Sequence, residues 1–111
     1  MSLDVYRVGF SKVDITPPVG TYLAGFAARK EPSTGVYHPL RAAAVAIDDG
    51  ETPVLFISMD LLGFYERTEM VRRRISEAIG LDARQMILCG SHTHCGPSLG
   101  STLSRSVRSS R

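Results

Sequence analysis

Two of the three histidines in this 111-residue chain stand in one tripeptide, His92-Thr93-His94, between Cys89-Gly90-Ser91 and Cys95-Gly96-Pro97. Imidazole is both a common metal ligand and the side chain that exchanges protons near neutral pH. Side chains two apart on extended backbone point the same way. The spacing therefore predicts two rings on one face, where a strand opens into a Gly/Pro loop. Such a pair can hold one metal, or one ring can hold a metal while the other works on a substrate. A catalytic zinc takes three protein ligands and a water, whose pKa it lowers to about 7. A neighbouring imidazole can shuttle protons. Gly90 and Gly96 leave room for close backbone approach, Pro97 stiffens the exit, and the Ser91 and Thr93 hydroxyls can orient rings. Two other readings fit the same residues. The histidines can be polar loop residues without a ligand, or Cys89 or Cys95 can supply a thiolate beside His94. The pattern does not match a metallo-β-lactamase site, since Gly96 and Pro97 stand where Asp and His are required. Nor does it match an amidohydrolase barrel, whose His-x-His follows the first strand.

The elements that must position this run are legible from periodicity and breakers. Tyr6 to Ile15 alternates as a strand and stops at Thr16-Pro17-Pro18. A short apolar run, Tyr22 to Ala27, precedes a polar loop from Ala28 to Pro39. Leu40 to Ile47 and Pro53 to Met59 are apolar runs joined by Asp48-Asp49-Gly50-Glu51-Thr52, which predicts a hairpin. Glu66 to Ile79 has helical period, with Met70, Val71, Ile75, Ala78 and Ile79 near one face and Gly80 as its stop. Glu69, Arg73 and Glu77 are spaced for i,i+4 pairs on a solvated face that includes Arg72 and Arg74. Gln85 to Cys89 reads as a buried strand. Strand, helix, strand is the βαβ pattern, so Pro53–Met59 and Gln85–Cys89 are predicted to be parallel neighbours ending on one edge. That arrangement brings Asp60, His92 and His94 together at the carboxyl ends of strands, where ligand sites gather. Asp60 reads equally well as a strand-end cap. His38, before Pro39, reads as an exposed loop residue, and Asp14-Ile15-Thr16-Pro17-Pro18 as turn chemistry. The predicted fold class is α/β: a mixed β-sheet with at least one packed helix in a βαβ unit, a fragment of a larger α/β hydrolytic domain.

Composition bounds the remaining possibilities. Arg105, Arg108 and Arg111 account for the excess of base; without them 10 basic face 11 acidic residues, so the body is near neutral. That gives no electrostatic reason to expect nucleic-acid binding. Six residues of extended chain hold Cys89 and Cys95 too far apart for a relaxed disulfide, and free thiols fit a reducing compartment. No apolar stretch approaches the ~18 residues of a membrane span. No secretory leader is visible, which favours the cytoplasm. Residues 1–98 are expected to form one domain, and residues 99–111, rich in Ser and Arg, a flexible tail.

Four blocks in order resemble the N-terminal region of the neutral/alkaline non-lysosomal ceramidase family. They are Val8 to Gly20, containing Asp14-Ile15-Thr16-Pro17; Leu23-Ala24-Gly25-Phe26; Gly35 to Asp49 with Ser58-Met59-Asp60-Leu61-Leu62-Gly63; and Ser91-His92-Thr93-His94-Cys95-Gly96-Pro97. The resemblance implies a zinc-dependent amidase of lipid, specifically sphingolipid, metabolism that hydrolyses ceramide to sphingosine and fatty acid. It implies His92 as a metal ligand and His94 as the catalytic residue in proton transfer. It also implies further ligands, a His, a Glu and a Tyr, downstream with no counterpart here. The chain is thus expected to be an incomplete N-terminal fragment that leaves the zinc site unfinished and shows no catalysis alone. The alternative is a non-catalytic remnant or binding module on the same fold. Two departures stand out: Cys95 replaces the family's Ser, and Tyr37-His38-Pro39-Leu40-Arg41-Ala42-Ala43-Ala44 lacks an Asp and an Arg of the corresponding family segment.

Overall fold

The computed structural model describes residues 5–97 and 99. Four strands form one mixed sheet in the order β1 (Arg7–Asp14), β2 (Arg41–Asp48), β3 (Val54–Met59), β4 (Met86–Gly90). The first three pair antiparallel, and β4 lies parallel to β3. Helix α1 (Thr68–Ile79) makes the crossover between the parallel pair, so the βαβ unit and the hairpin both form as their patterns predict.

Local chemistry sets the connections. In the β2–β3 turn, Asp49 accepts from the backbone N–H groups of Glu51 and Thr52 at 2.9 and 2.7 Å. Those bonds, Thr52 first, hold its carboxyl below the usual aspartate range. A 3-10 turn, Tyr65–Arg67, precedes α1, so the helix begins two residues later than its periodicity suggests. Gly80 ends it at φ 76°, a left-handed position that a Cβ disfavours. Gln85 then donates to the Pro53 carbonyl at 2.8 Å, tying the entry of β4 to the entry of β3.

Among the described residues, the buried side chains of β3 and β4 lie on one face of the sheet. Leu55, Ile57 and Met86 are buried there, with Ile75 of α1 and Leu81 packed on them. Full burial of such a side chain stabilises by roughly 1.5–3 kcal/mol. The opposite face carries the register row Phe10, Val45, Phe56, Ile87, in which Phe10 is 67% and Ile87 44% exposed. The expectation that Gln85 to Cys89 is a buried strand is therefore corrected: within β4 only Met86 is buried. Along α1, Met70, Val71 and Ile75 are half-buried as expected, but Ala78 and Ile79 are exposed. Arg73, Arg74, Glu69 and Glu77 are also exposed, whereas Arg72 is half-buried. No helix among the described residues is long and apolar enough to cross a membrane. The tail assigned to residues 99–111 lies outside the described residues except for Leu99, whose carbonyl accepts from Arg67 Nε at 2.9 Å.

Candidate functional site

The histidine run begins where β4 ends, and the parallel ladder continues into it. Ser91 N–H donates to the Met59 carbonyl and His92 N–H to the Leu61 carbonyl, each at 3.0 Å. The chain then turns at His92, whose φ is +65°. This corrects the expectation of an extended His-x-His with both rings on one face, because a left-handed residue breaks the pleat that the two-residue spacing presumes. The rings nevertheless meet, edge to face, with centroids 5.0 Å apart and planes at 85°. Loop geometry, not strand alternation, brings them together.

Each ring has a distinct environment. His92 Nδ1 lies 2.9 Å from the Leu62 carbonyl oxygen. A carbonyl only accepts, so Nδ1 carries a proton, and in the neutral ring Nε2 keeps the lone pair. His94 is half-buried, and its Nδ1 is buried without a hydrogen-bond partner. Phe26 packs against the His94 ring at 4.8 Å, and the Arg29 guanidinium lies over the Phe26 ring at 4.8 Å.

The loop is held by close backbone approaches. A Cβ at Gly90 would sit 3.0 Å from the Leu61 carbonyl oxygen, and one at Gly96 3.0 Å from that of Asp60, so the reading of these glycines as close-approach positions holds. Leu40, 3.6 Å from the same Gly96 position, is itself pinned: its N–H donates to Thr16 Oγ1 at 2.9 Å and its carbonyl accepts from Ile15 N–H at 2.9 Å. Thr16 N–H in turn donates to Asp14 Oδ1 at 2.8 Å. Asp14-Ile15-Thr16 is thus turn chemistry, as its residues suggest, but the turn supports the floor of the histidine loop. The Thr16 bonds lower the Asp14 pKa.

Asp60 meets the histidine loop through its backbone carbonyl, which faces Gly96. Its Oδ2 accepts from Arg41 N–H at 2.8 Å, and its N–H donates to the Arg41 carbonyl at 2.9 Å, which makes it a strand-end cap. His38 is exposed, with Nδ1 3.0 Å from the Pro39 carbonyl. Cys89 and Cys95 are free thiols, both exposed. Among the described residues, no group of three or more His, Cys, Asp or Glu side chains is placed to hold a metal ion. Reading the sequence missed two contributors: the Leu61 and Leu62 carbonyls, because backbone acceptors leave no residue-type signal, and the Leu23–Phe26 segment, which carried a motif without a role.

A family model for neutral/alkaline non-lysosomal ceramidase, N-terminal, matches residues 6–107. The chain belongs to the neutral/alkaline non-lysosomal ceramidase family. Solved ceramidases share its fold. Neutral ceramidase from Pseudomonas aeruginosa superposes on 84% of this chain with a TM-score of 0.70 and 23% identity. A ceramidase complexed with C2 covers the same share, with a TM-score of 0.69 and 22% identity. This chain spans 16% and 15% of the lengths of those two ceramidase chains. The ceramidase-like order of blocks thus coincides with a physical unit: the Asp14–Thr16 turn, the Leu23–Phe26 segment and the Met59–Gly63 loop all close around the histidine run.

Proposed function

We propose that this ceramidase-family chain supplies the N-terminal part of a zinc-dependent amide hydrolase acting on N-acyl lipids, ceramide to sphingosine and fatty acid. His92 is the zinc ligand and His94 the proton-handling residue. The observation that carries the reading is the bond between His92 Nδ1 and the Leu62 carbonyl. It fixes the ring and its tautomer and leaves Nε2 as the donor atom, the arrangement metal-bound imidazoles adopt. The residues present therefore fit one corner of a zinc site, and the remaining ligands are to come from outside this chain. Bound zinc supplies Lewis acidity that activates water at neutral pH. His94 handles protons through Nε2, since its Nδ1 is buried. Family membership supports the lipid amide substrate. A non-catalytic remnant or binding module on the same fold is the competing reading, favoured by the lack of a third ligand among the described residues.

Zinc uptake by equilibrium dialysis and ceramide hydrolysis test the proposal, on the chain alone and mixed with a separately produced downstream region of the family. The chain alone is expected to show neither stoichiometric zinc nor hydrolysis, and the mixture both. His92→Ala abolishes zinc uptake by the mixture; His94→Ala retains zinc and loses hydrolysis. Stoichiometric zinc with hydrolysis by the chain alone overturns the incomplete site. A mixture that takes up no zinc leaves the remnant reading.

A further inference from the structure

The buried, unpartnered Nδ1 of His94 calls for a cause, and that cause lies in a segment distant in sequence but packed against it. The segment Leu23–Phe26 crosses the histidine loop as a strap. Ala24 N–H donates to the Gly96 carbonyl at 2.8 Å, and Leu23 forms an isolated antiparallel bridge with Pro97. Between these anchors and the Phe26 ring stands Gly25, at φ +119°. A Cβ on Gly25 would lie 2.7 Å from both Cγ and Nδ1 of His94 and 2.9 Å from its Cβ. Those atoms are the root of the side chain, so an imidazole cannot relieve the overlap by bending its far end. It has to change rotamer, or the strap has to lift.

We propose that Gly25 is a positioning residue for His94. By lacking a side chain it lets the strap close on the Cγ–Nδ1 edge of the imidazole, so that the ring is held between Gly25, Phe26 and His92 with Nε2 as its only usable nitrogen. Phe26 forms one wall at 4.8 Å and His92 another at 5.0 Å. The Arg29 guanidinium lies over the Phe26 ring, and its Nη1 donates to the Ala24 carbonyl at 3.5 Å. The inference rests on the reading of His94 as the proton-handling residue, yet its test requires neither zinc nor catalysis.

Gly20 provides the control. It lies in the same loop at φ +96°, but a Cβ there meets nothing within 4 Å. Gly20→Ala and Gly25→Ala thus share backbone strain, and only the second reaches His94. The measurement is NMR of the His94 ring protons in the full chain. In the unmodified chain, nuclear Overhauser contacts are expected from the Gly25 α-protons and from the Phe26 ring to the imidazole. In Gly25→Ala the Phe26–His94 contacts are lost and the imidazole proton shifts change; in Gly20→Ala both persist. A purely structural role for Gly25 moves stability in both variants and His94 in neither. The proposal is overturned if Gly25→Ala keeps the Phe26–His94 contacts, or if Gly20→Ala removes them equally. Should Gly25→Ala fail to fold, the unmodified chain decides: absence of Gly25–His94 contacts overturns the proposal, and their presence with a single His94 rotamer upholds it.

Discussion

Replacing His92 by glycine and by alanine should reverse the usual order of those two residues. At most loop positions alanine is the more stable, because glycine has more unfolded-chain entropy to lose, a difference of roughly 0.5–1 kcal/mol. His92 sits at φ +65°, where a residue with a Cβ is penalised by roughly 1–2 kcal/mol. Both substitutions remove the ring and its bond to the Leu62 carbonyl, a loss of about 1 kcal/mol. His92→Ala keeps the left-handed strain and loses that bond, so it should fall about 1 kcal/mol below the unmodified chain. His92→Gly sheds the strain, and the net loss shrinks to roughly 0–0.5 kcal/mol. The assay is urea denaturation followed by circular dichroism, with midpoints compared at constant slope. Ser91, whose φ is not positive, serves as the internal reference, and there alanine should be the more stable. If His92→Ala equals or exceeds His92→Gly, the backbone at this position is not strained in solution, and the two rings are not brought together by a left-handed turn at His92.

Other expectations follow from single contacts. Asp60→Ala should lower stability by about 1 kcal/mol through loss of the Arg41 N–H bond, while Asp60→Asn leaves zinc uptake by the assembled protein unchanged; loss of zinc in Asp60→Asn makes the carboxylate a ligand after all. Gly96→Ala should destabilise by roughly 1–3 kcal/mol, because its methyl group meets the Asp60 carbonyl at 3.0 Å and Thr93 Cγ2 at 3.2 Å; a thermal melt identical to that of the unmodified chain refutes the close approach. The Asp49 carboxyl titrates below its unfolded value, so its contribution is present above roughly pH 4 and lost as pH falls through the folded pKa. Asp49→Asn should therefore flatten the acid side of the stability profile measured by urea midpoints, and an unchanged acid limb argues against the turn bonds.

Much of the fold could be read from the chain because its signals are local. Asp48-Asp49-Gly50 between two apolar runs marks a hairpin, and a helical period between two such runs marks a parallel crossover; both form. Gly80 and the Asp14–Thr16 turn depend on neighbours within a few positions and also form as read. What failed depended on context that residue types do not carry. Alternation cannot foresee that the chain turns left-handed at His92, since histidine is not a residue that demands it. The apolar run Gln85 to Cys89 suggested a buried strand, but Ile87, 44% exposed, shows that residue type reports what a position can bury, not what packs on it among the described residues. Gly25 resembled any loop glycine, because its reason is an imidazole distant in sequence.

That distance also bears on how the histidine pair assembles. His92 is fastened to the Leu62 carbonyl across 30 positions, inside the β3–α1–β4 crossover. The strap is fastened by the bond between Ala24 and Gly96, 72 positions apart. Closing the longer loop costs about 0.8 kcal/mol more in chain entropy. On that count the crossover is expected to set His92 before the strap fixes His94. Amide exchange at Ala24 should accordingly report a cheaper opening than at His92, one that frees His94 while His92 stays fixed.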